Sequence, residues 1–265
     1  MDVTALARVK IILVEPAGAL NVGAIARVMK NLGLSQLVLV NPRCDRASGE
    51  ARQMAVHAAD LLEAAEVVNS LPEALKGCQR AIATTARART LETPLEAPRS
   101  TLGWLLEAPS ALIFGREDRG LTNQELNYAQ RFVRIPSSEA YPSLNLAQSV
   151  AICCYELSQC ASGEASESAN PPMKKKSISS LGETASLENL ERYYQQLESV
   201  LLKIGYLYPH TVASRMEKFR RLYNRTYLTD NEVAMLRGVL SQVEWAIAQR
   251  ERSPSESFPF SEEKS

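Results

Sequence analysis

The chain has 265 residues, 45% of them hydrophobic, and its 30 Lys and Arg balance 30 Asp and Glu. That length allows one substantial domain and a small second one, and a neutral total means that any role with nucleic acid must rest on local charge. The apolar run 11–14 is too short for a signal-peptide core or a membrane span, and five cysteines without a C-x-x-C pair suit reduced thiols better than disulfides or zinc, so a cytoplasmic protein without metal is expected.

Residues 9–160 alternate short apolar runs with helical stretches, the mark of an α/β domain. The runs at 9–14, 37–40, 81–85, 111–114 and 132–135 are mostly unalternating, which predicts strands of a parallel sheet buried on both faces. A helix is predicted over 22–32, with Ile25, Val28, Met29 and Leu32 as its apolar stripe, Asn21 as N-cap and Gly33 as its stop. Residues 161–186 are rich in Ser, Gly, Glu, Pro and Lys and read as a flexible linker. Three amphipathic helices follow, over 187–204, 215–225 and from a Thr229/Glu232 capping box onward. The expected organisation is therefore a domain at 1–160, a linker at 161–186, a helical unit at 187–252 and a disordered tail at 253–265.

No G-x-x-x-x-G-K-[ST] loop is present and no G-x-G-x-x-G follows the first strand, which argues against ATP hydrolysis and Rossmann-type dinucleotide binding. Instead, three clusters sit at ends of predicted strands, where open α/β sheets bind ligands. The first is Glu15-Pro-Ala-Gly-Ala-Leu-Asn21-Val-Gly23-Ala-Ile-Ala-Arg27. Its Gly23 permits close approach by another backbone or a ligand, and its Arg27 lies opposite the apolar stripe, free to face a phosphate or a cleft; taken alone, the cluster reads more readily as a plain capped helix with a solvated arginine. The second is Gly115-Arg-Glu117-Asp-Arg-Gly120-Leu121, a loop with two glycines running into a Thr122/Glu125 capping box. The third runs from Ile135-Pro136 to Tyr141-Pro-Ser143-Leu144-Asn145-Leu-Ala-Gln-Ser149, where Ser143 and Asn145 suit either helix capping or ligand binding.

Taken together, N-x-G-x-x-x-R, F-G-x-E-x-x-G-L and I-P…S-L-N-L-A-x-S-V-A resemble the three motifs of the TrmH-type SPOUT RNA 2'-O-methyltransferases. The segment Thr84-Thr-Ala-Arg-Ala-Arg-Thr90 is similar to a loop of one branch, the bacterial tRNA (cytidine/uridine-32-2'-O)-methyltransferases or TrmJ branch. The similarity continues through Ile204-Gly-Tyr-Leu, Phe219-Arg-Arg-Leu-Tyr-Asn-Arg and Thr229-Asp-Asn-Glu-Val-Ala-Met-Leu, covering roughly 8–160 and 187–249.

The resemblance implies an α/β fold with a parallel sheet and a deep C-terminal trefoil knot, followed by a small all-α domain. It also implies a homodimer, S-adenosylmethionine as cofactor and tRNA as partner. By position, Thr84, Thr85, Ala86, Gly115, Gly120, Ile135, Ser143, Leu144 and Asn145 should line the cofactor pocket. Arg27 resembles the family's catalytic arginine, with Asn21, Glu117, Ser143 and Asn145 orienting it, the ribose or the cofactor. On a helical wheel, Lys218, Arg221 and Arg225 cluster opposite Met216, Phe219 and Tyr223, a cationic stripe suited to tracking phosphates or a solvated basic face. Lys174–176 in the linker fits nonspecific attraction or solubilisation. Cys153, Cys154 and Cys160 read as packing residues, and Trp104 and Trp245 as core or interface residues. Competing functions are the same chemistry at a tRNA D-loop or rRNA site, a noncatalytic RNA-binding protein, and a small-molecule transferase.

Overall fold

The computed structural model describes residues 3–86, 94–163 and 184–252. In chain order these form α1 (Val3–Leu6), β1 (Val9–Val14), α2 (Ala19–Asn31), β2 (Gln36–Val40), α3 (Gly49–Ala55), α4 (Ala59–Ala64), β3 (Glu66–Val68), α5 (Leu71–Ala74), β4 (Arg80–Thr84), β5 (Leu95–Glu96), α6 (Pro98–Thr101), β6 (Ser110–Phe114), α7 (Asn123–Leu126), β7 (Arg131–Val133), α8 (Leu146–Ser162), α9 (Leu187–Lys203), α10 (Val212–Asn224) and α11 (Asp230–Arg252). The strands make one sheet in the order β3-β2-β1-β6-β4-β7-β5. Every pairing is parallel. The predicted parallel sheet is present. The edge strands β3 and β5 escaped the sequence reading because two or three residues are too short to show a pattern.

The alternation of side chains along a strand divides the core into two apolar layers. Ile11, Leu13, Leu39, Leu112 and Phe114 face one way and pack with α2, α3, α4 and α8. Ile12, Val38, Ala83, Ile113 and Phe132 face the other way, into a layer that includes Leu187, Leu190, Tyr194 and Leu197 of α9 and Met216 of α10. Both faces are covered, which explains why these strands read as continuous apolar runs.

The helical region is thus part of the same apolar layer as the sheet. Leu187 N donates to Cys78 O at 2.9 Å, Asn224 Nδ2 donates to Ala129 O at 3.4 Å, and Tyr227 packs its ring 5.7 Å from that of Trp104. The ends of the expected linker are ordered: 161–162 complete α8, Gly163 caps it at φ +76, and Ser186 caps α9. Lys174–176, most of the linker and the tail at 253–265 lie outside the described residues.

One local expectation is corrected, and two with alternatives are narrowed. Helix α2 begins at Ala19 with Gly18 as its N-cap, so Asn21 is inside the first turn and does not cap it. The close approach at Gly23 is by backbone: a Cβ there would lie 2.2 Å from Ala51 O of α3. Trp245 is 58% exposed and outside the core. Gly33 does end α2, at φ +78, and Thr122/Glu125 and Thr229/Glu232 both form their capping boxes. Cys153 and Cys154 are buried packing residues, and Cys160 is half-buried.

Candidate active site

The three sequence clusters, which follow β1, β6 and β7, meet beyond the carboxyl ends of these strands. Phe114 ends β6, and the chain turns at Gly115 so tightly that a Cβ would lie 2.2 Å from both Gly120 C and Leu121 N. Gly120 sits at φ +68, a conformation costly for any residue with a Cβ. The 115–121 loop therefore curls back on itself and presents bare backbone.

Glu117 projects from that loop to the start of α2. Its carboxylate accepts from Ala17 N, Gly18 N and Asn21 Nδ2, each at 3.0 Å. This is a tertiary cap: a carboxylate from another loop supplies the negative charge that an N-cap side chain would bring to the helix start. It also explains why Asn21 is not the cap. Its amide is committed to Glu117 on one side and accepts from Asn145 Nδ2 at 3.1 Å on the other. Asn145 in turn caps α8, its Oδ1 accepting from Ala147 N at 2.8 Å and Gln148 N at 3.3 Å. One hydrogen-bonded chain, Glu117–Asn21–Asn145, thereby fastens all three clusters together. Partial burial pushes the Glu117 carboxyl up, but the Asn21, Ala17 and Gly18 hydrogen bonds outweigh it and hold it below the usual carboxylate range.

Beside this chain lies a cleft. Thr84, Thr85 and Ala86 follow β4 along one side, Gly115 to Leu121 form another, and Ile135, Ser143 and Leu144 complete it. Thr84 Oγ1 donates to Ile113 O at 3.0 Å and Thr85 N to Val133 O at 3.0 Å, pinning the β4 loop against its neighbours. Of the predicted pocket residues, all but Asn145 line the cleft; Asn145 stands behind it in the Asn21 bond. Residues 87–90 of the matched β4 loop lie outside the described residues.

Sequence reasoning passed over an ion-pair cluster at the cleft's rim. Glu15, at φ +49 on the end of β1, accepts from Arg119 at 3.0 Å, Arg43 at 2.8 Å and Asn41 at 3.1 Å. Arg119 also pairs with Glu125 at 3.0 Å. Arg119 and then Arg43 hold the Glu15 carboxyl below its usual range. Arg116, Asp118 and Arg119 line the cleft as well; their charge within a glycine loop was the available signal, obscured because only glycines and Glu117 carried the family pattern.

Arg27 is exposed, forms no ion pair with any described residue, and is not among the cleft's lining residues. It stands six residues beyond Asn21, about 9 Å further along α2 at 1.5 Å per residue. Lys218 of α10 and Arg225 just past its end are exposed, whereas Arg221 is half-buried and paired with Glu217 of its own helix. Among the described residues no cluster of His, Cys, Asp or Glu suits a metal, and no helix is long and apolar enough to cross a membrane.

The donor set fits a nucleoside bearing a charged tail. Apolar Leu121, Ile135 and Leu144 offer contact for a flat ring, the Gly115–Gly120 backbone allows close approach, and the charged 116–119 segment borders the polar end.

Known proteins resemble the chain over most of its length. Residues 8–155 match the SpoU rRNA methylase family, and residues 188–254 match the TrmJ tRNA methyltransferase C-terminal domain. The tRNA (cytidine/uridine/adenosine-2'-O-)-methyltransferase TrmJ of Pseudomonas aeruginosa is 41% identical over 90% of this chain and 95% of its own length. The tRNA (cytidine/uridine-2'-O-)-methyltransferase TrmJ of Pectobacterium atrosepticum is 38% identical over 90% and 98%. The crystal structure of TrmJ from Z. mobilis superposes with a TM-score of 0.76 at 31% identity, covering 89% of this chain and 98% of that one. Both halves of the chain thus find their counterparts in the same relatives, and the chain belongs to the SpoU methylase family, in its TrmJ branch.

Proposed function

We propose that the protein is an S-adenosylmethionine-dependent methyltransferase that modifies a ribose 2'-hydroxyl of tRNA, at cytidine or uridine 32 of the anticodon loop. The observation that carries the reading is the Glu117–Asn21–Asn145 chain, which joins the three family motifs around one cleft. The names of the relatives supply tRNA and the 2'-oxygen; the site residues and the target position rest on the resemblance.

Thr84, Thr85, Ala86, Gly115, Gly120, Ile135, Ser143 and Leu144 hold the cofactor, and Asn145 fixes the loop that carries the last two. When bound, S-adenosylmethionine supplies an electrophilic methyl group on a positively charged sulfur. The protein's task is then to position the 2'-oxygen and stabilise its developing charge. Arg27 performs it. A guanidinium seldom gives up its proton, so Arg27 acts by holding the 2'-oxygen or the adjacent phosphate rather than as a base, and the hydroxyl proton leaves to solvent as the methyl is transferred. Because Arg27 does not line the cleft of its own chain, a homodimer in which one chain's Arg27 serves its partner's cleft is the arrangement that completes the site. The C-terminal part of the α/β domain forms the knot in this reading. Residues 1–160 form the catalytic unit and 187–252 the RNA-binding extension, in which Lys218, Arg225 and, once released from Glu217, Arg221 meet phosphates.

The test is transfer of labelled methyl from S-adenosylmethionine to unmodified tRNA, with nuclease mapping, for wild type and Arg27→Ala. Label at nucleotide 32 that disappears in the variant supports the reading; tRNA binding with no transfer by wild type refutes it.

A further inference from the structure

The turn between α9 and α10 carries an aromatic surface that the catalytic reading leaves unused. Helix α9 ends at Gly205, whose φ of +74 only glycine adopts without strain. Leu207 N and Tyr206 N both donate to Leu201 O at 3.0 Å, and Leu207 is buried in the core at 2% exposure. Seating Leu207 inward turns its two neighbours out: Tyr206 is 51% exposed and Tyr208 55%. Tyr208 is held in turn, its carbonyl accepting from Thr211 N at 2.9 Å. Its ring lies near-parallel to His210, 5.9 Å away at 22°. Two tyrosine rings are thus kept in water by a turn that is anchored on both sides.

The surrounding charge is one-sided. Although the chain is neutral, residues 203–229 hold six Lys and Arg against a single Glu. Lys203, Arg220 and Arg221 are engaged by Glu244, Glu191 and Glu217. Arg215 and Lys218 are exposed and form no ion pair with any described residue, and the Arg215 guanidinium lies 5.7 Å from the centre of the Tyr206 ring. Exposed aromatic faces beside unneutralised cations are what unpaired nucleotides require: bases stack on rings while phosphates meet the charges.

We infer that Tyr206 and Tyr208 form a stacking platform for unpaired bases of the RNA substrate, with Arg215 and Lys218 on the flanking phosphates. The inference rests on the RNA-modifying function proposed above and adds a recognition site for single-stranded rather than helical RNA. Because the turn is held before binding, little ordering cost opposes the contact.

The test uses the full chain and two probes: a tRNA transcript, and a seven-nucleotide single-stranded RNA carrying 2-aminopurine, with a duplex of the same RNA as control. Wild type should quench the 2-aminopurine on binding. The double variant Tyr206→Ala/Tyr208→Ala should lose the quench and bind the transcript at least about fivefold more weakly, the low end of one base–ring stack. Tyr206→Phe/Tyr208→Phe, which keeps both rings, should behave as wild type and guards against a folding defect. Arg215→Ala should weaken binding and flatten the salt dependence by about 0.7 in log–log slope, as for one phosphate of a single strand, whereas the tyrosine variants leave that slope unchanged. Unchanged quenching by the alanine variant, or equal losses on duplex and single strand, overturns the platform. If quenching behaves as expected but wild type transfers no methyl to tRNA, the platform stands and the catalytic reading fails.

Discussion

Asn145 Nδ2 donates to Asn21 Oδ1 at 3.1 Å, joining residues 124 positions apart, and the same Asn21 amide donates to Glu117. Asn21 is the link whose loss separates the loops. Asn21→Ala should cost about 1–2 kcal/mol, since it removes one neutral and one charge-assisted hydrogen bond at a partly solvated site. Methyl transfer should fall further than stability, by ~10-fold or more, because misplacing a loop by an ångström can cost that much in rate. Asn21→Asp sets a second carboxylate against Glu117 and should be the harsher change. Thermal melting and single-turnover methyl transfer check this; variants that melt lower while transferring at the wild-type rate would show the bond to be purely structural.

Gly115→Ala tests the loop itself. The added Cβ would meet the backbone of Gly120 and Leu121 at 2.2 Å, and backbone cannot swing aside as a side-chain tip does. The 115–121 loop must open, so S-adenosylmethionine binding, read by calorimetry, should drop ~10-fold or more, by analogy with other ångström-scale displacements. Gly23→Ala is the informative contrast. Its Cβ would meet Ala51 O at 2.2 Å, at a contact that does not line the cleft, and should lower the melting temperature with a smaller effect on the affinity of the protein that remains folded.

Arg27→Ala should leave the melting temperature unchanged, because the side chain is exposed and unpaired among the described residues, while abolishing transfer. Arg27→Lys should fail to restore it, since a point charge does not reproduce the planar fork. Mixing Arg27→Ala with a cleft variant such as Gly115→Ala and recovering part of the activity would demonstrate a site shared between two chains.

The carboxylates at the cleft set the response to acid. Glu15, Glu117 and Glu125 all titrate below their ordinary value of 4.5 in the folded chain. For Glu15, Arg119 is the leading cause; for Glu117 and Glu125, hydrogen bonds overcome the upward push of burial. A lowered folded value means that the stabilisation is complete above the unfolded value and is lost as pH falls through the folded one. Stability should therefore be flat from neutrality to about pH 4.5 and decline below it. Urea unfolding across pH 3–7 should show a shallower acid decline for Glu15→Gln than for wild type, and an identical slope would remove Glu15 from the account.

Much of this was legible in the sequence, and the rest was not for identifiable reasons. The buried strands announced themselves because both faces are covered, and Gly115, Glu117 and Asn145 stood at recognisable spacings. Asn21 was misread as a cap because local pattern favours that role, while the true cap, Glu117, is 96 positions away. Arg221 looked like part of a cationic stripe until its pairing with Glu217 was seen. The strands β3 and β5 have too few residues to carry a period, and no periodicity reveals that α9 shares an apolar layer with β1.

That shared layer governs truncation at residue 186. Amphipathic helices after a polar segment suggest a removable unit, one whose deletion spares the cofactor site. The packing argues otherwise. Leu187, Leu190, Tyr194 and Leu197 belong to the same apolar layer as Ile12, Val38 and Phe132, so deletion strips the outer part of that layer, exposes Leu71, Leu75 and Leu126 that it packs with, and removes the Leu187–Cys78 and Asn224–Ala129 hydrogen bonds. Fully burying one large apolar side chain contributes about 1.5–3 kcal/mol, and several are lost at once. The truncated chain should melt well below the full chain, bind a hydrophobic dye and aggregate, and lose cofactor affinity along with tRNA affinity. A soluble 1–186 fragment that melts near wild type and binds S-adenosylmethionine normally would instead show that the helices only rest on the sheet.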